Sequence, residues 1–413
     1  MVRRRLLVLT ITLLILGVMY GSVSAEKTKI VIWTYFAEIH NELLPEFYKQ
    51  FPDVELEIMS VGGATTAEKY LVAYVGGAGP DIVTLRLGQS VKYIESGMVA
   101  PVDPRGFGVN SLAELERMML PGSMSILRHR DGNVYFMPAE LSIFGFFYNK
   151  TLMDQAGVGK VPTTWEELLE VGQKFVKVDA DGKTQQVGLY MWREWFPPWF
   201  FHILMQGYNV QPFTADGQSQ FSHPDAVKAI SLYPELYRRL SNNTDMGGHN
   251  RTWNAGNAAF NWGANYMSSG FKKADLMFEW GSAPMPKFAQ GQPSTVAYAH
   301  GHFVNSQSKH KELAWKVVGF FIGPQQAEKW YTEHNLWQPW GGSWITRLFI
   351  IDPTQRPFLE QLEFAVPEIA HPNVDDLYQK IREAEDRIFR GKQSVEAALQ
   401  QLDTEISAMG PIY

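Results

Sequence analysis

Apolar and polar positions change period in a regular way along the chain. A β-branched run over 29–34 precedes Leu43, Leu44, Phe47 and Phe51, which recur at helical spacing; Val54, Leu56 and Ile58 then alternate as one face of a strand does. This pattern predicts a strand, a helix over 41–51 and a second strand. A helical stretch over 66–75 follows, stopped by Gly76 and Gly77, and leads to an apolar strand over 81–85 and a helix ending at Gly97. Strands alternating with helices predict a largely parallel sheet with helices on both faces.

The turn Asp131-Gly132-Asn133 opens a second unit of the same kind, with an apolar run over 143–148 and a helix over 151–156. Thr164 and Glu167 predict a capping box for the helix carrying Trp165, Leu168, Leu169 and Phe175. More helix is expected over 221–240, bent at Pro234, and Phe303-Val304 followed by 311–322 repeats strand then helix. The tail reads as helix, ending in the stripe Val395, Ala398, Leu399, Leu402 and Ile406 with Gly410 as its stop. No internal repeat or low-complexity linker interrupts the chain, so two lobes joined by crossing segments fit better than separate beads.

With 413 residues, 45% hydrophobic and 19% charged, the chain is a multi-domain globular protein and neither a disordered segment nor a peptide hormone. Arg3 to Arg5, the apolar run over 6–18 and Val23-Ser24-Ala25 read as a secretory signal peptide over 1–25, cleaved after Ala25; the apolar run is too short for a spanning helix of about 20 residues, although an uncleaved signal would tether the protein. Its removal would take the formal charge from −6 to −9, and no basic run follows Arg5 that could serve a phosphate backbone, so no nucleic-acid partner is expected. Cysteine is absent, which leaves no lipid-acceptor residue after the signal; the mature protein is expected free in the periplasm.

Several separated stretches carry a resemblance. They are Ile30-Val31-Ile32-Trp33, Leu44-Pro45-Glu46-Phe47, Phe51-Pro52-Asp53-Val54, Gly79-Pro80-Asp81-Ile82-Val83, Ser96-Gly97-Met98 and Phe147-Tyr148-Asn149-Lys150. Pro162-Thr163-Thr164-Trp165-Glu166-Glu167-Leu168, Ala283-Pro284-Met285-Pro286 and Ser308-Lys309-His310-Lys311-Glu312-Leu313-Ala314-Trp315 continue the series. In order and spacing the chain resembles the family 1 extracellular solute-binding proteins of ABC importers, a group that includes maltose- and other sugar-binding proteins. The resemblance implies a two-lobe α/β fold that closes on a ligand, with 26–138 and 300–338 in one lobe and 139–299 and 339–413 in the other. It also implies a membrane permease as partner, no catalysis and no cofactor; a monomer is expected.

A sugar presents C–H faces and hydroxyls, matched by flat aromatic walls and bidentate polar groups. Trp192, Trp195 and Trp199, around Arg193 and Pro197-Pro198, form the densest candidate cluster. Tyr35 and Glu38 end the first strand, and Arg86 and Gln89 the third, at the edge where an open parallel sheet places ligands. Glu140 lies where the chain should first cross between lobes, near an acidic ligand-binding residue of maltodextrin-binding relatives. The stretch Gly256 to Gly263 resembles a family segment, but the Gly-Pro-Trp expected after it reads Ala264-Asn265-Tyr266, which makes Tyr266, Trp262 or Trp253 the stacking candidates and Asn265 an added amide. Gly301-His302 stands at the return strand, and Trp340, at the third crossing, is the preferred stacking residue after the 192–199 cluster. His300 and His302 are read as alternating on a strand and so pointing to opposite faces, so no shared metal site is expected.

Motifs for phosphate loops, serine elbows, zinc helices and cysteine nucleophiles are absent, and Asp179-Ala180-Asp181-Gly182 reads as a turn and not a calcium loop. The expectation is a carbohydrate receptor, with a glycerol-phosphate or polyol carrier as alternative. A secreted glycoside hydrolase using Glu140 with Glu38 or Glu194 is the remaining rival.

Overall fold

The β-branched and aromatic runs form strands where the alternation places them. In the computed structural model, which describes residues 26–193, 196–242 and 248–410, the strands are β1 (Thr28–Thr34), β2 (Val54–Ser60), β3 (Ile82–Arg86), β4 (Val99–Ala100), β5 (Phe136–Asn149) and β6 (Lys177–Val178). They continue as β7 (Thr184–Tyr190), β8 (Ala258–Ala264), β9 (Trp280–Ala283), β10 (Val296–Asn305) and β11 (Val366–Pro367). The expected signal segment over 1–25 lies outside the described residues. Among them, no helix is long and apolar enough to cross a membrane.

All strands belong to one sheet with the path β2-β1-β3-β10-β5-β8-β7-β6. β1 runs parallel to β2 and β3, and β7 parallel to β8, as the strand–helix alternation predicts. β5 and β10 do not follow that rule: β10 is antiparallel to β3 and β5, and β5 is antiparallel to β8. The reason is that both are crossing strands. β5 pairs with β10 from Phe136 to Ile143 and with β8 from Phe144 to Tyr148, so one continuous strand serves both halves of the sheet.

The amino-terminal half buries Ile30, Ile32, Leu43, Phe47 and Leu85, and Phe47 stacks on Phe321 of helix Lys311–Ile322 at 5.5 Å. Helix Ala37–Gln50 starts one turn before the expected position because Ala37, Ile39 and His40 extend its buried face. The carboxy-terminal half packs Phe146 on Phe260 at 5.4 Å and Phe200 on Trp262 at 4.5 Å. Its helix Trp165–Gly172 is capped by Thr164, whose hydroxyl accepts from Glu167 N, while the Glu167 carboxylate accepts from Thr163 N, one residue earlier than a standard capping box requires.

The helix expected over 221–240 is two helices, Pro224–Ile230 and Leu232–Leu240; the break falls at Ser231, upstream of Pro234, because the proline ring and missing N–H fit only a helix's first turn. β11 interrupts the tail expected to be all helix by adding itself to β10 at Val296 and Ala297. Residues 339–341 remain tied to the amino-terminal half: Leu120 N donates to Pro339 O at 2.8 Å and Gly341 N to Met118 O at 2.9 Å.

Candidate functional site

Ligands in open α/β sheets bind beyond the carboxyl ends of parallel strands. Here β1 delivers Tyr35, β3 delivers Arg86, β7 delivers Trp192, and β8 delivers Asn265 and Tyr266. The crossing strands pass between them, and their register sets Glu140 of β5 opposite His300 of β10, with Arg86 on the other side of His300.

Around that crossing the side chains form an aromatic and polar cluster. Tyr35 meets the His300 imidazole edge-on at 5.3 Å, and Tyr298, two residues before His300, packs on it at 6.0 Å. Trp199 is half-buried, packs on Tyr298 at 5.7 Å and on Tyr378 at 5.3 Å, and has a buried indole N–H with no hydrogen-bond partner. The Tyr266 and Tyr298 phenols act on each other's protonation. The Glu140 carboxylate accepts from the Ser142 hydroxyl at 2.7 Å and lies 3.3 Å from His300 Nδ1.

Electrostatics fix the protonation of this cluster. Burial disfavours the Glu140 anion, but the hydrogen bonds from His300 and Ser142 outweigh it and hold the carboxyl below its ordinary range. Burial pushes Tyr35 up to about 12 and raises Tyr266 and Tyr298 as well. At neutral pH the site therefore offers one carboxylate acceptor, neutral phenol hydroxyls and ring faces. A glycosidase acid needs a raised carboxyl pKa, and Glu140 has the reverse. Glu38 is exposed on the first turn of helix Ala37–Gln50, and Glu194 lies outside the described residues.

The remaining sequence candidates separate into two groups. Arg86 and Gln89 are at the cleft but hold a protein group: Arg86 Nη2 donates to Asp375 Oδ1 at 3.0 Å and Gln89 Nε2 to Asp375 Oδ2 at 2.9 Å. Trp192 stacks on His249 at 5.3 Å on the wall of a cavity of about 680 Å³, lined also by Arg193, Gln379, Arg382 and Glu385. Trp195 lies outside the described residues.

Trp262, Asn265, His302 and Trp340, assigned to the ligand on sequence grounds, are enclosed instead. Trp262 packs among Phe144, Phe196 and Phe200 in the core. Asn265 spends its amide oxygen on Ile143 N at 2.8 Å, fastening β8 to β5. Trp340 is fully buried against Phe107 and donates its indole N–H to Ile322 O at 2.6 Å. His302 is buried between Thr84 and His40, and burial lowers its pKa to about 3.

The alternation argument for His300 and His302 also fails, since residues two apart share a face of a regular strand. It is the bulge between His300 and Gly301 that breaks the alternation, and the two rings meet different neighbours. Sequence reasoning missed Tyr298, Tyr378, Glu368 and Asp375. Tyr298 carried a usable signal, lying two residues before His300 on the same strand. Tyr378 and Asp375 lie on the amphipathic helix Val374–Phe389 with no distinguishing pattern.

Comparison with known proteins bears on the fold and the family. The chain is 23% identical over 310 residues to a putative binding protein of Brucella abortus, covering 73% of each chain. It is 21% identical over 304 residues to the multiple sugar-binding protein of Streptococcus mutans, covering 70% of this chain and 69% of that one. Among solved structures it resembles the sugar-binding protein MalE of Xanthomonas citri, with a TM-score of 0.79, 21% identity and coverage of 92% and 96%. It also resembles a cyclo/maltodextrin-binding protein complexed with maltotetraose, with a TM-score of 0.76, 19% identity and coverage of 92% and 97%. The fold is thus the α/β periplasmic-binding-protein fold. The model of the family described as bacterial extracellular solute-binding protein matches residues 33–328, and the chain belongs to that non-catalytic family.

Proposed function

We propose that the protein captures a neutral saccharide, an oligosaccharide of two or more rings, in the cleft at the crossing strands and delivers it to the membrane permease of an ABC importer. It acts outside the cytoplasmic membrane as a monomer without a lipid anchor, after loss of the segment over 1–25. One lobe comprises 26–138 and 300–341, the other 139–299 and the tail after Gly341; the bonds of 339–341 to 118–120 support moving the third crossing from the expected 338 to after Gly341.

The observation that carries the reading is the cluster of Trp199, Tyr298, Tyr266 and Tyr35 around ionised Glu140. Ring faces suit C–H surfaces, the phenols donate or accept, and the carboxylate accepts from paired hydroxyls. Micromolar capture needs only about 8 kcal/mol, within reach of a few such contacts. Names of relatives support the same class: they include arabinooligosaccharide-binding and maltotriose-binding proteins. The two arginines read from the sequence as the cations of an anion site are both engaged, Arg86 by Asp375 and Arg193 by Glu385, which disfavours a glycerol-phosphate carrier. A thermal-shift screen against mono- and oligosaccharides tests the proposal: a ligand raises the melting temperature with its concentration, and a panel without response refutes it.

A further inference from the structure

Arg86 and Gln89 stand at the cleft edge of the amino-terminal half, at the end of β3 and on helix Leu87–Glu95. Their partners come from the other side. Helix Val374–Phe389 belongs to the carboxy-terminal half, where its Glu385 binds Arg193 and Tyr233 and its Tyr378 packs on Trp199. From its first turn Asp375 reaches across and accepts from both Arg86 and Gln89, one donor on each carboxylate oxygen.

Beside this contact Glu368 forms a second, different one. Its carboxylate is wholly buried, accepts from Gly88 N at 2.9 Å and Tyr378 Oη at 3.1 Å, and lies 3.6 Å from Arg86 Nε. It also sits at the amino terminus of helix Leu87–Glu95, where negative charge is favoured. The Arg86 guanidinium lies over the Tyr378 ring at 5.1 Å. Glu368 thus also joins the tail to the amino-terminal half, as a buried contact, whereas the Asp375 side chain that adds to it is 66% exposed and open to salt.

We propose that Asp375 is a latch: by holding Arg86 and Gln89 it draws the two halves of the sheet together before any guest arrives. Exposed ion pairs add little to global stability, but a hinge equilibrium separates states by only a few kcal/mol. Breaking the latch should lower the closed-to-open ratio of the ligand-free protein about two- to fivefold. Part of the closure that a guest must otherwise drive is thereby already present, which tightens capture by at most the same factor.

The test needs no saccharide, so it can fail independently of the proposed ligand class. Small-angle scattering of the ligand-free full chain is compared for wild type and Asp375→Ala at about 20 mM and about 1 M salt, where screening shortens to about 3 Å. At low salt the variant should have the larger radius of gyration at an unchanged melting temperature. Raising the salt should expand wild type toward the variant and leave the variant unmoved. Superimposable profiles at both salts would overturn the latch, as would a difference that ignores salt, because packing and not charge would then hold the halves.

Discussion

Replacing Trp340 by Phe separates two roles that a tryptophan near a crossing segment can have. Trp340 is fully buried, and its indole N–H caps Ile322 O, one of the terminal carbonyls that helix Lys311–Ile322 cannot satisfy internally. Trp330 does the same for Phe321 O at 3.0 Å. Losing the N–H strands a buried carbonyl at a cost of about 1–3 kcal/mol, and the smaller ring leaves a void beside Phe107 worth about 1 kcal/mol more. The expected loss is about 2–4 kcal/mol, read as a fall of order 1 M in the urea midpoint followed by circular dichroism. Saccharide affinity of the folded protein should not change. If Trp340→Phe leaves the midpoint in place and abolishes binding, Trp340 faces the guest and the placement of the cleft around Trp199 is wrong.

Trp199→Leu should chiefly affect binding: loss of the flat face weakens saccharide binding roughly two- to tenfold by titration calorimetry, and since its indole N–H has no partner to strand, only the lost packing on Tyr298 and Tyr378 lowers stability, by about 1–2 kcal/mol. Gly301→Ala should destabilise by about 1–3 kcal/mol in thermal melts, because a Cβ there would fall on the Phe136 ring and 2.7 Å from Met137 O; an unchanged melt would mean the crossing strands are looser than described. Acid should destabilise early. Burial holds His202 neutral in the fold with a pKa of about 3, and lowers His40 likewise, so the unfolded chain binds protons first as pH falls below about 6.5. By pH 4.5 His202 alone should cost about 2–3 kcal/mol, and a melting temperature flat from pH 7 to 4.5 would contradict its burial. Arg193→Gln leaves the buried Glu385 carboxylate to Tyr233 alone and should cost about 2–4 kcal/mol in urea unfolding; a neutral result would show that the carboxylate is solvated.

Local pattern made much of the fold legible. The strand–helix–strand opening, the stops at Gly76-Gly77 and Gly97, and the Thr164 cap follow from periodicity and backbone geometry that reside in a few neighbouring residues. Tyr35 and Arg86 were placeable for a similar reason, since the end of a parallel strand is visible in sequence and topology does the rest. What pattern could not show is which side of a tryptophan meets protein. Trp199 and Trp340 look alike in sequence, and only the packing of Phe107 and helix Lys311–Ile322 around the latter sends it to the core. The antiparallel crossing strands escaped because β5 and β10 are buried on both faces and carry no signal of direction. Asp375 reaches Arg86 across 289 positions of sequence, a distance over which no spacing argument operates.

Calorimetric titration of an oligosaccharide that stabilises the protein, with the sugar recovered and sized afterwards, tests most directly whether this cleft receives without reacting. One molecule per chain, bound reversibly, returned at its original length and held about two- to tenfold more weakly by the Trp199→Leu variant, is the predicted result. Shortened sugar, or binding that ignores Trp199, would contradict it.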